Sequence, residues 1–222
     1  LGGVTSGSFL GLDKQQARAR DGWEKPAANE EWWEWYDILC AVQAAEKTFT
    51  MYELGAGYGR WCVNALGLIR QLGLDLVPRY LAVEAEPTHF DYLMQHFRNN
   101  GLDPTKHDLI QCAVAGEPGE VSFVIGHSEE WWGQAIVPET YDPAKQGFHE
   151  ARNIKVEAVT LSSLIPDGLM IDIIDMDLQG AELGVVTESI DVLCRQVRRL
   201  HIGTHSKEIE EGLRALLPQR GW

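Results

Sequence analysis

The chain has 222 residues, of which 45% are apolar, and 19 basic against 33 acidic side chains give it a net charge of −14. That length and apolar content suit one substantial packed domain and exclude global disorder. The acidic balance argues against a general nucleic-acid binder, which needs a basic face for phosphates, and no run of about 18 apolar residues is present to span a membrane.

Residues 1–29 are rich in Gly, Ser, Ala and charge without a sustained period, and read as a loose N-terminal arm; residues 30–222 read as a single domain. From Glu30 to Glu46 the pattern is helical, with Trp32, Trp33, Trp35, Tyr36, Leu39, Val42 and Gln43 crowding one broad side that is expected to cap a sheet edge, a substrate lid being the alternative. Strand and helix then alternate. Thr50–Leu54 is a strand, followed by a glycine turn and a helix carrying Trp61, Ala65, Leu68 and Leu72. Arg79–Glu84 is the second strand; Pro87 opens the next helix, whose stripe is Phe90, Leu93, Met94 and Phe97 and whose end is Gly101. Leu109–Val114 is the third strand.

The rhythm breaks over residues 119–159, where Val121–Ile125 and Ile154–Val159 flank a long loop and read as a β insertion. Met170–Met176 returns as a buried strand, a helix follows through Leu183, Val186, Ile190 and Leu193, and Arg198–Gly203 precedes a last helix with Ile209, Leu213 and Leu216. Strands alternating with helices predict an α/β fold with a mostly parallel, doubly wound sheet.

The four cysteines, Cys40, Cys62, Cys112 and Cys194, are scattered and form no C-x-x-C pair. Neither a zinc ribbon nor a disulfide framework is expected, and a reducing, cytoplasmic compartment fits. The start lacks the charged-then-apolar pattern of a signal peptide. Because it begins at Leu1 rather than Met, the sequence leaves room for natural residues before it.

The segment Glu53-Leu54-Gly55-Ala56-Gly57-Tyr58-Gly59 carries the chemistry of the first turn. Glycines let a ligand approach the main chain and permit positive φ. The dinucleotide fingerprint G-x-G-x-x-G would need a third glycine where Arg60 stands. Glu53 would repel a pyrophosphate and attract an ammonium or sulfonium, both of which S-adenosylmethionine carries without a phosphate. Glu84, at the end of the second strand, is placed to accept hydrogen bonds from two ribose hydroxyls; the plainer alternative is a helix cap.

Farther on, Asp175-Met176-Asp177-Leu178-Gln179-Gly180-Ala181-Glu182 gathers polar groups at the carboxyl end of a strand, the edge where open α/β sheets bind ligands. Asp175 and Asp177 alternate with Met176, so both could face one side and hold a metal, position a hydroxyl or accept a proton; Asp177 or Gln179 could equally cap the next helix. His205, at the end of the next strand, could deprotonate a hydroxyl near neutral pH, while His201 falls inside the strand and reads as a satisfied interior residue. A divalent metal on Asp175, Asp177 and His205 is open but not favoured, because the spacing is not a tight ligand motif.

These residues resemble the FkbM-type S-adenosylmethionine-dependent methyltransferases over roughly residues 50–206. Glu53–Gly59 matches the family's first motif, Val83-Glu84-Ala85-Glu86-Pro87 its acidic second motif with Ala85 where proline is common, and Asp177–Glu182 the signature D-x-E-G-A-E with Gln179 in place of Glu. Asp175 stands where a lysine is frequent, and Gly203 where an acid often precedes the histidine. The resemblance implies a Rossmann-like class I methyltransferase fold and methyl transfer to a hydroxyl of a sugar, glycan or secondary metabolite. S-adenosylmethionine would be the cofactor and S-adenosylhomocysteine the product. Glu53, Gly55, Ala56, Gly57, Tyr58, Gly59, Glu84, Ala85, Ala113 and Asp177 would bind the cofactor, with Asp177, His205 or Asp175 as the catalytic acids and bases. Gln179, with Trp131 and Trp132 of the insertion loop, would meet the acceptor; the tryptophans could equally plug the loop onto the domain. That fold usually adds an antiparallel pair of strands after the fifth parallel one, and this sequence stops at Arg220-Gly221-Trp222. An unfinished sheet edge is therefore expected, open to a partner chain in a homodimer. Two rival readings remain: a nicotinamide-dependent oxidoreductase, disfavoured by Arg60 and Glu53, and a non-catalytic binding module for an adenosine ligand.

Overall fold

The computed structural model describes residue 5 and residues 31–126, 134–146 and 151–222. The arm at residues 1–29, Thr5 apart, lies outside the described residues, as does the middle of the insertion loop with Trp131 and Trp132.

In chain order the elements are α1 (Trp32–Ala44), β1 (Thr48–Leu54), α2 (Arg60–Gln71), β2 (Val77–Glu84), α3 (Pro87–Asn99), β3 (Asp108–Gln111), β4 (Ala113–Val114), β5 (Gly119–Ile125), β6 (Ile136–Val137), β7 (Arg152–Val159), α4 (Leu161–Leu164), β8 (Ile173–Met176), α5 (Glu182–Gln196), β9 (Leu200–Ile202) and α6 (Lys207–Leu216). Five strands form a parallel sheet in the order β3-β2-β1-β8-β9. The chain winds outward from β1 in one direction through β2 and β3, then returns to β8 and β9 on the other side. The carboxyl ends of β1 and β8 therefore flank a topological switch point, where a parallel sheet opens a crevice.

Both faces of this sheet are covered, so its strands are apolar almost throughout. Side chains alternate between two cores. Phe49, Met51, Tyr80 and Ile173 pack with Ile38 of α1, Cys62 and Leu66 of α2 and Phe97 of α3. Tyr52, Leu54, Val83, Ile174 and Met176 pack with Val185 and Leu193 of α5 and Leu213 of α6.

A second, four-stranded sheet has the order β4-β7-β5-β6. It is mixed: β4 runs parallel to β7, while β5 pairs antiparallel with β7 and β6. This is the expected insertion, but it takes more than the two expected strands. The expected third strand, Leu109–Val114, is in fact two. Asp108–Gln111 pairs with β2, and after Cys112 the chain changes sheets, so that Ala113 lies opposite Ala158 of β7. The small side chain of Ala113 is buried with Ala85, Phe123, Ile125 and Ala158 in a third core, and burial in that core draws β4 away from β3.

Other boundaries shift for local reasons. Regular pairing of β8 begins only at Ile173, because the Asp172 carboxylate accepts from the Thr50 N–H at 2.9 Å in place of a strand partner, and Ile171 makes only an isolated bridge to Val197. On α1 only part of the expected face is buried: Val42 is, with Trp35 and Leu39 packed against the core. Ile38, Ala41 and Val42 are buried, Trp35 packs edge-to-face on Trp61 with ring centroids 5.4 Å apart, and Trp32, Trp33, Tyr36 and Gln43 are exposed. A helix lying on α2 and β8 can bury one stripe only, and the aliphatic side chains take it. Among the described residues, β9 ends the parallel sheet with no strand on its outer side, and no helix is long and apolar enough to cross a membrane.

Candidate active site

A pocket opens where the two sheets part. The β1–α2 turn contributes Gly55 and Gly57; the end of β2 contributes Glu84 and Ala85; the turn after β8 contributes Asp177, Leu178 and Gln179. The second sheet supplies the remaining side through Ala113, Phe123, Gln134 and Ile136.

The glycine turn is forced by its surroundings. Gly55 has φ +77°, and a side chain there would run into the backbone carbonyl of Asp177, so the turns after β1 and β8 touch only because the residue is glycine. Gly59 has φ +72° at the start of α2, where a Cβ would meet Leu93 and, at 2.9 Å, Phe97. Gly55 and Gly57 line the pocket, whereas Ala56, Tyr58 and Gly59, expected there, form the back of the turn: Ala56 is buried, and the Tyr58 carbonyl lies 2.9 Å from His96 Nδ1.

Glu53 is also corrected. Its carboxylate does not face a ligand: Oε1 accepts from the Trp61 N–H at 3.0 Å and Oε2 from the Cys62 N–H at 2.8 Å. Two of the first amides of α2 have no partner within the helix, and a buried acid at the end of the preceding strand satisfies them. Burial pushes this carboxyl above its ordinary range, although the Cys62 and Trp61 bonds oppose the shift.

Glu84 does line the pocket. It is buried, with Oε2 accepting from the Gly57 N–H and Oε1 from the Glu86 N–H, both at 2.7 Å. Burial pushes its carboxyl up to about 7, against the pull of those amide bonds. The cap of α3 is instead Glu86, which accepts from the His89 N–H at 2.6 Å.

The expected pairing of Asp175 with Asp177 does not form. Strand β8 ends at Met176, between them. Asp175 is buried in register with Glu53 on one side and His201 on the other, and does not line the pocket. Burial, reinforced by the Glu53 charge, holds its carboxyl well above the carboxylate range. It is placed neither to take a substrate proton nor to join a metal with His205. His201, expected to be a satisfied interior residue, is half-buried, with Nδ1 2.8 Å from Asp37 Oδ2 and Nε2 3.8 Å from Glu34. Burial alone would lower its pKa, but the Asp37 bond and the neighbouring acids raise it.

Asp177, beyond the strand, emerges at the pocket. Its Oδ1 accepts from Gln179 Nε2 at 2.6 Å and lies 3.3 Å from His205 Nε2. Gln179 holds this position with φ +52°, a left-handed backbone at a residue other than glycine. On its other side His205 is bound through Nδ1 to Glu182 Oε1 at 2.8 Å. Glu182 has no exposed surface and also accepts from the N–H groups of Leu178 at 3.0 Å and Gly180 at 3.1 Å. Burial would raise the Glu182 carboxyl, but the His205 and Gly180 bonds hold it below its ordinary value; the Glu182 bond in turn raises His205. Asp177, Glu182 and His205 bring one potential ligand atom each within 4.8 Å of one another. Within this array His205 is hydrogen-bonded to Glu182 and lies in ion-pair distance of Asp177.

Glu182 is the residue that sequence reasoning left without a role, although it closes the signature that drew attention to Asp177. Phe123 and Ile136 carried no signal, because their place depends on the change of sheet at Cys112.

A Rossmann-like parallel sheet, with a glycine turn, a buried acid after its second strand and a polar turn after its fourth, has the architecture of class I methyltransferases. The pattern of the methyltransferase FkbM domain matches residues 53–219, and the chain belongs to the FkbM methyltransferase family. A protein of Jannaschia sp. (strain CCS1), named as an inferred methyltransferase, is 27% identical over 193 residues, covering 85% of this chain and 67% of that protein. Among solved structures, a precorrin-6y C5,15-methyltransferase from Geobacter metallireducens GS-15 aligns over 96% of this chain and 81% of its own, with 12% identity and a TM-score of 0.46. A methyltransferase subunit of a type I restriction-modification system from Streptococcus thermophilus aligns over 35% of this chain, with 18% identity and a TM-score of 0.31; the match spans 16% of that subunit's length.

Proposed function

We propose that this chain transfers the methyl group of S-adenosylmethionine to a hydroxyl oxygen of a sugar, glycan or secondary metabolite, leaving S-adenosylhomocysteine. One observation carries the choice of cofactor. The described pocket lining contains two carboxylates, Glu84 and Asp177, and neither lysine nor arginine. Such a lining suits a ligand with cationic groups and no phosphate, and offers a dinucleotide pyrophosphate no lysine or arginine. Glu84, fixed by two amides, would accept from the ribose hydroxyls; the backbone of Gly55 and Gly57 allows close approach of the ligand; Asp177 lies on the side where an ammonium would be matched.

S-adenosylmethionine supplies an electrophilic methyl on a sulfonium, so the protein's part is alignment of an acceptor oxygen and removal of its proton. His205 and Asp177 face each other across 3.3 Å at the edge of the pocket. With Nδ1–H donating to Glu182, neutral His205 presents the lone pair of Nε2 to a hydroxyl proton, and Glu182 stabilises the imidazolium that results. The C–S bond breaks as the O–C bond forms, and the hydroxyl proton passes to His205 or, through it, to the Asp177 carboxylate.

Calorimetry of the whole chain with S-adenosylmethionine, S-adenosylhomocysteine and NAD, followed by a methyl-transfer screen over hydroxylated acceptors, tests the reading. Binding of both adenosyl ligands with turnover of a hydroxyl acceptor is the expected result. Binding of NAD alone would sink the methyltransferase reading, and adenosyl binding without turnover on any acceptor would leave a binding module.

A further inference from the structure

The turn from β8 into α5 carries a side chain where its backbone favours none. Among the described residues, every positive φ falls on a glycine except that of Gln179, at +52°. The left-handed region crowds a Cβ against the following carbonyl, so a glycine would hold this position at lower cost. Gly180, the next residue, has φ +116°. The turn is pinned by another residue: Glu182 accepts from the N–H groups of Leu178 and Gly180, on either side of Gln179, at 3.0 and 3.1 Å. The Gln179 side chain instead donates from Nε2 to Asp177 Oδ1 at 2.6 Å, and that same oxygen lies 3.3 Å from His205 Nε2. The Asp177 side chain is 55% exposed. Little packing selects its rotamer, so the bond from Gln179 decides which oxygen faces the imidazole.

We propose that Gln179 is a positioning residue: its carboxamide holds the Asp177 carboxylate against His205 and so keeps the proton-accepting pair set toward the acceptor hydroxyl. The inference rests on the methyl-transfer reading above and deepens it. Asp177 Oδ1 has lone pairs for two donors. Gln179 Nε2 occupies one, and the other is left for the Nε2–H that His205 gains when it takes the hydroxyl proton. Glu182 meets the opposite ring nitrogen at 2.8 Å, so the imidazolium forms between two fixed acceptors. The glutamate that the signature carries in this place could not donate such a bond when ionised. The glutamine of this chain can, which makes the hold on Asp177 a feature of its own. Its left-handed backbone is then the cost of a fixed geometry beside reacting groups.

Two variants of the whole chain test this. Gln179→Gly removes the amide and relieves the backbone; Gln179→Met removes the amide and keeps the length of the side chain. On an acceptor found by the hydroxyl screen, each is expected to cut kcat about tenfold, with acceptor KM and S-adenosylhomocysteine affinity within about twofold of wild type. The denaturant midpoint of Gln179→Gly should equal or exceed that of wild type. In the Asp177→Asn background, Gln179→Gly should change kcat by less than about twofold, because its effect runs through Asp177. In the cofactor-free chain the NMR signals of the His205 ring, assigned with His205→Ala, should shift in Gln179→Gly toward their positions in Asp177→Asn. A raised acceptor KM at unchanged kcat would make Gln179 an acceptor contact. A kcat loss matched by a lower midpoint would make it a turn former. Either overturns the proposal, as do additive losses in the Asp177→Asn background. If wild type turns over a hydroxyl acceptor and both variants keep kcat within about twofold, the positioning role is wrong while the methyl-transfer reading stands. If wild type transfers methyl to no acceptor and the His205 signals still shift as expected, the methyl-transfer reading falls while the hold on Asp177 stands.

Discussion

Two groups of ionisable side chains lie near the carboxyl ends of the same parallel strands, and they have different jobs. Glu53, Asp175 and His201 sit in one row across β1, β8 and β9, one residue before the row of Leu54, Met176 and Ile202. Glu84 and Asp177 lie one residue beyond the last β1 pairings, Leu54 with Val83 and Leu54 with Met176. The first group is held inside the fold, with the Glu53 carboxylate bonded to amides of α2 and His201 to Asp37 of α1; the second lines the pocket. Asp175 and Asp177 have the same strand parity, so alternation alone places them together. They are separated because β8 ends between them, at Met176: Asp175 lies inside the paired strand and Asp177 past it.

The sharpest way to break this contrast is to remove one member from each side and ask what is lost. His205→Ala is expected to cut methyl transfer by about 10²–10⁴ on an acceptor found by the hydroxyl screen, with S-adenosylhomocysteine affinity nearly intact. Equal losses in affinity and rate would remove His205 from proton transfer. Glu84→Ala should weaken S-adenosylhomocysteine by about 100-fold, as expected when charged hydrogen bonds to a ribose diol are lost. The pH dependence carries the same message. The Glu84 carboxyl is pushed up to about 7 and accepts best when ionised, so affinity should climb as pH rises through about 7 and then level off. Glu84→Gln should flatten that profile, and an unchanged profile would detach Glu84 from the ligand.

Glu53→Ala tests the other side. It strands the Trp61 and Cys62 amides at the start of α2, and should cost about 2 kcal/mol of stability by denaturant unfolding. Cofactor affinity of the folded fraction should change far less than in Glu84→Ala. A Glu53 variant of full stability that fails to bind S-adenosylhomocysteine would restore the direct ligand contact that the geometry gives no room for.

The layout of the parallel sheet was legible in the sequence because each strand is a short apolar run set between helical stripes, and Gly55, Glu84 and Asp177 mark the strand ends. Of the residues expected to bind, Gly55, Gly57, Glu84, Ala85, Ala113, Asp177 and Gln179 line the pocket, most of them at or just past the end of a strand. Legibility failed where the direction of a side chain decides. Glu53 and Tyr58 sit in the right motif but turn to helix amides and to His96, and no spacing rule reports that turn. The second sheet was only half legible, since Ala113 carries nothing in its identity to say that its partner is Ala158 of β7, 45 positions later, rather than a residue of β2. Non-local pairing of this kind depends on a core that the linear pattern does not display.

The smallest effect concerns His201, which belongs to the covered row yet reaches out to α1. Its imidazole meets Asp37 and Glu34 from the helix and Asp175 from the neighbouring strand. Its pKa is raised over the ordinary value of 6.5, so the folded state holds this proton more tightly than the unfolded chain does. The stabilisation is therefore complete below about pH 6.5 and is lost as pH rises through the folded-state value. Asp37 is partly exposed, which screens the pair and limits its worth to about 0.5–1 kcal/mol. Asp37→Asn and His201→Asn should each reduce stability by about that amount at pH 6, and the double variant by no more than either alone. At about pH 8.5 the penalties should shrink. Additive losses, or penalties that grow toward alkaline pH, would mean that α1 is held by its aliphatic stripe of Ile38, Ala41 and Val42 alone. The row of Glu53, Asp175 and His201 would then stop at the sheet instead of extending to the helix above it.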